Sequence, residues 1–98
     1  MKLTINFHRA ASLEFIEASA WYENKRAGLG SEFISEIDRC VLLASENPCR
    51  FALVYKDIRR IIVNRFPYGV YFRVEENRIV IMAVFHSSRN PSAWQARV

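Results

Sequence analysis

The chain has 98 residues, of which 51% are hydrophobic and 24% are charged. This length allows one domain, 1–98, without a second core, and this composition excludes an intrinsically disordered protein. No apolar run approaches the roughly 18 residues of a membrane span, and the start of the chain lacks the apolar stretch of a signal peptide. We therefore expect a cytoplasmic protein that does not bind a membrane.

The net charge of +4 is unevenly distributed along the chain. Residues 14–46 contain seven acidic and three basic side chains and carry −4, whereas the remainder contains eleven basic and three acidic side chains and carries +8. A positive region of this size favours a polyanion or an acidic peptide as partner. The alternative is a solvated surface whose charge keeps the protein soluble.

The first two predicted elements are a strand and a helix. Residues 3–7 alternate apolar and polar side chains, which is the period of a half-buried strand. Residues 9–26 are predicted to form an amphipathic helix, with Glu14 and Glu17 off its buried face. That buried face is predicted to consist of Leu13, Ile16 and Ala20.

A second helix is predicted to begin between residues 28 and 32, because the glycines of 27–30 end the first one. It ends at Asn47, since a residue before proline avoids the α region. Its core stripe is predicted to consist of Phe33, Ile37, Val41 and Ala44, with Cys40 beside it. Two amphipathic helices joined so briefly are expected to pack as an antiparallel hairpin.

The C-terminal half is predicted to be β-structure. Pro67 interrupts it, because proline cannot donate to a central ladder, and a polar turn is predicted at 75–78. Residues 79–85 are apolar without a break, which indicates a strand covered on both faces inside the sheet. The tail after His86 is predicted to hold one short helical turn. The predicted strands of this half are 58–65, 70–74 and 79–85, so the element order is β-α-α-β-β-β and the class is α+β.

The sequence contains no motif for a metal, a nucleophile or a cofactor. Cys40 and Cys49 lie nine residues apart, with no CxxC and no histidine at metal-ligand spacing. We interpret them as a reduced core thiol and a loop thiol. The glycine patterns of nucleotide binding and of nucleophile elbows are also absent, so we expect no metal and no small-molecule cofactor.

One basic cluster could carry chemistry. If the C-terminal strands form a meander, their ends bring cations, an imidazole and an aromatic ring to one concave surface. Metal-free RNA cleavage needs a group that moves the 2′-OH proton, cations that hold the phosphorane charge and a ring on which a base stacks. The candidates are Arg59, Arg60, Arg65, His86, Arg89, Trp94 and Arg97. Because neighbouring residues of a strand face opposite sides, only one of Arg59 and Arg60 can enter a given site.

Several of these side chains also have a structural interpretation. His86 is the one side chain of this cluster that ordinarily titrates near neutrality, but it equally suits a hydrogen-bonding role at a strand end. Trp94 could cover the core instead of stacking on a base. Trp21 and Tyr22 are either core residues at a helix end or an exposed pair that anchors a partner.

Seven segments of the chain together resemble a known family. They occur in the family's order and span nearly the whole chain, from Leu3 to Arg97. The segments are 17–23, 28–33, 47–48, 58–60, 65–68, 70–72 and 84–94. On these segments the chain resembles the RelE/ParE toxins of bacterial type II toxin–antitoxin systems. The resemblance implies a small, twisted, mainly antiparallel sheet packed against a helical hairpin, as in microbial ribonucleases, and an antitoxin encoded beside the toxin.

The resemblance leaves two kinds of target open. RelE-like members cut mRNA in the ribosomal A site, whereas ParE-like members poison DNA gyrase. The RelE-like site keeps Arg60 and an arginine near Arg89 here, but Gly69 stands where another arginine of that site would fall. The Phe-Pro-Tyr turn at 66–68 and the His-x-x-Arg-x-Pro pattern at 86–91 resemble the ParE-like and plasmid-stabilisation branch more closely.

We therefore hypothesise a toxin that is neutralised by a cognate antitoxin and that inhibits DNA gyrase. Its target contacts are predicted to be Arg89, Trp94 and Arg97. Its antitoxin contacts are predicted to be Trp21 and Tyr22. The alternative is a ribosome-dependent mRNA endoribonuclease that needs no metal, with the catalytic residues His86, Arg60, Arg65 and Arg89. A third interpretation is a folded relative without toxicity.

Overall fold

The computed structural model describes residues 2–98 and contains a helical hairpin and a five-stranded sheet. Its strands are β1 (Thr4–Phe7), β2 (Leu53–Tyr55), β3 (Ile58–Ile62), β4 (Tyr68–Glu75) and β5 (Arg78–His86). Its helices are α1 (Arg9–Lys25), α2 (Leu29–Glu46) and the short α3 (Ser92–Gln95), with a 3-10 turn at Pro48–Arg50. The predicted α+β class, the hairpin and the mainly antiparallel sheet are confirmed. Within residues 2–98, no helix has the length and apolar character to cross a membrane.

The sheet has the order β1-β5-β4-β3-β2, which brings the first and last strands of the chain together. β1 pairs in parallel with β5, and the other neighbouring strands pair antiparallel. The prediction missed β2, because three residues are too few to show a period of two. The next strand, predicted to reach residue 65, ends at Ile62, and the chain then turns through Arg65, whose φ is 72°.

The second helix buries the predicted stripe. The residues of that stripe are all buried: Phe33, Ile37, Cys40, Val41 and Ala44. They pack in the cluster that also holds side chains of β3, β4 and β5. Cys40 and Cys49 are free thiols, one buried and one exposed, as predicted. Burial raises the pKa of the Cys40 thiol.

The predicted buried face of α1 is wrong. Leu13 and Ile16 are 50% and 65% exposed, and Ala20 is exposed as well. The helix instead packs through a second stripe, which consists of Ala11, Phe15, Ala18 and Tyr22. Both stripes have spacings of three or four residues, so periodicity alone cannot choose between them. Glu14 lies beside the second stripe and is largely buried, because it finds a charged partner there.

Glu23 holds the turn between the two helices. Its carboxylate accepts hydrogen bonds from the backbone N–H groups of Gly28 and Gly30, both at 3.0 Å. These bonds satisfy donors that the start of a helix leaves free. A Cβ at Gly30 would lie 2.7 Å from the carbonyl oxygen of Ser19, so a larger residue would push the helices apart.

A β-bulge in β5 decides which side chains face the helices. The pairing of β4 with β5 shifts beside Tyr71, where Met82 is an extra residue. Met82 and Ala83 both join the hydrophobic cluster on the face away from the hairpin, and alternation then resumes. Without the bulge, His86 would point away from the hairpin, because a shift of one residue exchanges the two faces of a strand.

The face of the sheet away from the hairpin is covered by the C-terminal tail. The predicted helical turn is α3, and Trp94 within it is only 2% exposed. Its ring centroid lies 4.5 Å from that of Tyr71 and 5.7 Å from that of Tyr55. The interpretation of Trp94 as a core-covering residue is confirmed, and its buried ring offers no free face to a stacking base.

Two isoleucine substitutions test which helix faces are buried. Ile37→Ala is expected to lower the free energy of unfolding by about 2–5 kcal/mol, because it leaves a cavity in the core. Ile16→Ala is expected to change it by no more than about 0.5 kcal/mol, because the side chain lies in solvent. Urea denaturation measures both. An equal loss of stability in the two variants would contradict the packing of α1.

Candidate functional site

The end of β5 lies between two pockets that share a wall. The helix-side pocket has a volume of about 550 Å³ and the tail-side pocket one of about 270 Å³. His86 and Arg89 line both of them. The helix-side pocket is completed by Glu14, Glu17, Ala18, Trp21, Tyr22, Pro67, Tyr68 and Val84. The tail-side pocket is completed by Val54, Arg60, Tyr71, Phe85, Ser87, Pro91, Trp94 and Gln95.

The structure brings four of the predicted residues together at the tail-side pocket. They are Arg60, His86, Arg89 and Trp94. As expected for neighbours on a strand, Arg59 lies apart from Arg60, and its guanidinium donates to the carbonyl oxygen of Phe51 at 2.7 Å. Among residues 2–98, no group of three or more histidine, cysteine or acidic side chains is placed to hold a metal ion.

Two predicted arginines lie outside both pockets because carboxylates hold them elsewhere. Arg65 is paired with Glu32 of α2, and its guanidinium lies over the ring of Phe66. Arg97 is 14% exposed and binds Glu14. Neither guanidinium is free in this structure, so a role for either in the site stays a prediction.

The Glu14–Arg97 pair joins α1, β5 and the tail. The Arg97 guanidinium donates to both carboxylate oxygens of Glu14, at 3.0 and 2.6 Å, and to the carbonyl oxygen of Met82 at 2.9 Å. The same carboxylate accepts the backbone N–H of Val84 at 3.1 Å. Because β1 ends opposite Ile81, these contacts satisfy backbone groups of β5 beyond the reach of β1.

Sequence reasoning missed Glu14, which it placed off the buried face of α1. The available signal was its position, four residues before Ala18 and one before Phe15, on the edge of the alternative stripe. A carboxylate at such an edge is buried only if a cation meets it. That cation lies 83 positions further along the chain, and no local pattern could indicate it.

His86 is held in one tautomer by the turn that follows β5. Its Nδ1 accepts the backbone N–H of Ser88 at 3.1 Å, and the Ser88 hydroxyl lies 2.8 Å from the same atom. A backbone N–H can only donate, so Nδ1 carries the lone pair and the proton of the neutral ring is on Nε2. His86 therefore offers a donor, and its ring packs edge-on against Tyr68 with centroids 5.2 Å apart.

Aromatic rings form much of the helix-side pocket. Trp21 is 56% exposed and meets Tyr22 edge-on, with centroids 5.1 Å apart. Tyr22 in turn packs against Tyr68, with ring centroids 6.2 Å apart. Burial raises the pKa of both tyrosine phenols. The pocket thus combines mostly apolar walls with the charged side chains of Glu14, Glu17 and Arg89, as in sites where a few polar groups orient an apolar ligand.

Comparison with known proteins identifies relatives of the whole fold. A family model described as "ParE toxin of type II toxin-antitoxin system, parDE" matches residues 5–91. Toxin ParE2 of two Mycobacterium tuberculosis strains is 26% identical over 102 residues, which cover 100% of this chain and 94% of the relative. A solved structure of the chromosomal ParDE TA system from P. aeruginosa has a TM-score of 0.73 at 17% identity. That match covers 87% of this chain and 96% of the solved one, and it supports the fold.

Removing the charge of Glu14 tests whether its ion pair with Arg97 stabilises the packing of α1, β5 and the tail. Glu14→Gln is expected to lower the free energy of unfolding by about 3 kcal/mol, because it leaves Arg97 buried without its counter-charge. Glu36→Gln is the matched control, since it breaks the more exposed pair with Arg39 within α2 and should cost no more than about 0.5 kcal/mol. Urea denaturation of both variants measures the difference. Equal effects would mean that the Glu14–Arg97 pair does not hold the tail.

The pair of Arg65 and Glu32 predicts a pKa that can be measured. Hydrogen bonds from Arg65 and then Arg26 lower the pKa of the Glu32 carboxyl. The stability that this pair contributes is therefore present above the unfolded-state pKa and is lost as the pH falls through the folded-state value. In an NMR titration, Arg65→Gln should move the Glu32 pKa back towards its ordinary value, whereas Arg39→Gln should not. An unchanged Glu32 pKa in the first variant would contradict the pairing.

Proposed function

Because the chain belongs to the ParE toxin family of type II toxin–antitoxin systems, we propose that it inhibits DNA gyrase by binding it. Membership of this family also gives the chain a cognate antitoxin as partner. The proposed mode of action is binding at the end of β5, without cleavage of nucleic acid. We locate the target contact at the tail and the antitoxin contact at the helix-side pocket.

The observation that carries this proposal is the fixed tautomer of His86. A general base must present a free lone pair to the proton it takes. The lone pair of His86 is on Nδ1, where it accepts the Ser88 N–H, and protonation at that atom would break this bond. The ring is therefore better suited to donate a hydrogen bond to a bound partner than to exchange protons with a substrate.

The target contact is assigned to Arg89 and the tail that positions it. Arg89 is 55% exposed in its side chain, and its guanidinium lies over the ring of Phe85 at 4.2 Å. Trp94 and Arg97, the other two predicted target contacts, are largely buried. Their proposed role is to hold the tail in place, so that Arg89 is presented at the surface.

The antitoxin contact is assigned to Trp21 and Tyr22. Segments that neutralise such a toxin gain order on binding and use apolar anchors. Trp21 is largely exposed beside a pocket of about 550 Å³ with mostly apolar walls. Exposed tryptophans at a pocket rim are among the residues that contribute most to protein interfaces.

The alternative function is that of a metal-independent mRNA endoribonuclease acting on the ribosome. The observation that favours it is the convergence of Arg60, His86 and Arg89 on one small pocket. Two arginines could hold a phosphate there. His86 could donate a proton to a leaving oxygen if its ring were first protonated at Nδ1, with loss of the bond from the Ser88 N–H. Arg65, the fourth predicted catalytic residue, lies outside the pocket and is paired with Glu32.

Expression of the chain with and without its neighbouring open reading frame distinguishes the two functions. We expect gyrase-linked double-strand DNA breaks with intact messages. His86→Gln keeps a donor but no titratable group, so it should retain most of the inhibition. As an endoribonuclease the same variant should lose about 100-fold or more in cleavage rate.

Purified gyrase gives the second measurement. Arg89→Gln should weaken inhibition of supercoiling by about 10-fold or more, as expected for a central interface arginine. Arg78→Gln removes an equally exposed arginine at the opposite end of β5 and should leave inhibition unchanged. Cuts within translated codons, together with unaffected gyrase, would reject the proposed function in favour of the alternative.

A further inference from the structure

The tail-side pocket is lined by donors and by no acidic side chain. Its polar wall consists of Arg60, His86, Ser87, Arg89 and Gln95. The ring of His86, which this pocket shares with its neighbour, carries its proton on Nε2, because Nδ1 accepts the Ser88 N–H. The neighbouring helix-side pocket differs, since Glu14 and Glu17 line it. Of these two pockets, only the tail-side one offers positive charge without a competing carboxylate.

The two arginines of this pocket are not neutralised within the part of the chain that the structure describes. Arg60 is exposed and lies within 4.0 Å of no carboxylate among residues 2–98. The guanidinium of Arg89 lies 4.0 Å from the nearest carboxylate oxygen of Glu14. That carboxylate is already bound through both oxygens to Arg97. Two positive charges therefore face the pocket with little internal compensation.

Trp94, which also lines this pocket, carries a buried donor without an acceptor among residues 2–98. Trp94 is 2% exposed, and its indole Nε1–H has no hydrogen-bond partner among the described residues. Buried polar groups are nearly always paired, so this N–H leaves a donor unsatisfied in a wall that already carries two cations. This observation is independent of the charges of the two arginines.

We propose that the tail-side pocket binds a carboxylate, an aspartate or glutamate side chain of the antitoxin. The pocket volume of about 270 Å³ suits one small anionic group, and Val54, Phe85 and Pro91 give it an apolar rim. A nucleic acid fits less well, because Tyr71 and Trp94 are buried and cannot stack on a base. An antitoxin segment that anchors in the helix-side pocket would reach this carboxylate site directly, since the two pockets share His86 and Arg89.

A carboxylate in this pocket would also explain how the antitoxin neutralises the toxin, which rests on the proposed function for the role of Arg89. If Arg89 contacts gyrase in the free toxin, a carboxylate of the antitoxin that binds Arg89 removes that contact. Antitoxin and target then compete for one guanidinium. Neutralisation would need no change in the toxin's fold.

The test is the affinity of the toxin for its neighbour-encoded antitoxin, measured by calorimetry at two salt concentrations. Arg60→Gln and Arg89→Gln should each bind about 10-fold more weakly or worse, and their affinity should depend less on salt. Arg78→Gln makes the same change of charge far from the pocket and should stay within about 2-fold of the unchanged protein. Thermal melting of each variant shows whether it is folded.

The outcomes distinguish a carboxylate of the antitoxin from a phosphate of a nucleic acid as the group that binds in the pocket. If both pocket variants bind the antitoxin as tightly as the unchanged toxin, the carboxylate site is wrong. If they lose affinity for a short RNA or DNA oligonucleotide but not for the antitoxin, the pocket binds phosphate and the proposal is overturned. Weaker antitoxin binding by both variants supports it even if purified gyrase is not inhibited, so this measurement does not depend on the identity of the target.

Discussion

A bidentate ion pair between Glu14 and Arg97 joins helix α1 and the C-terminal tail to strand β5. β5 is the strand on which both pockets depend, and β1 covers its outer edge only as far as Ile81. Beyond that residue, a carboxylate from α1 and a guanidinium from the tail bind the free backbone groups of β5. Charged groups can take this role because each is the other's partner, which offsets the cost of removing both from water.

The position of the candidate site follows from this pair and from the bulge beside Tyr71. The bulge turns His86 towards the helices, and the pair fixes the tail whose Trp94 covers the other face of the sheet. His86 and Arg89 consequently lie where the two faces meet. A partner that follows the end of the sheet meets apolar rings first and cations next, which is a suitable order for a segment with an apolar anchor and an acidic residue.

Local patterns predicted those parts of the fold that depend on neighbours in sequence. The stripe of α2 was identified because one face of that helix is clearly more apolar than the other, and residues 79–85 were identified as an inner strand by their unbroken apolar run. The prediction for α1 was wrong because Leu13 and Ile16 have the spacing of a buried face. The face that is buried contains two alanines and lies beside Glu14. The site was only partly predictable for the same reason. Arg60, His86 and Arg89 follow from strand order, whereas the pairings of Arg65 and Arg97 depend on distant carboxylates.

The parallel pairing of β1 with β5 has a consequence for how the protein is made. β1 is synthesised first, but its only neighbour in the sheet is the last strand to be made. Until β5 has been synthesised, β1 has no neighbouring strand to pair with in this sheet. Contacts between such distant segments form late in folding. The surface at the end of β5 therefore forms only when the first and the last of the described strands have met, so a partner of this surface recognises the chain only after its sheet has closed.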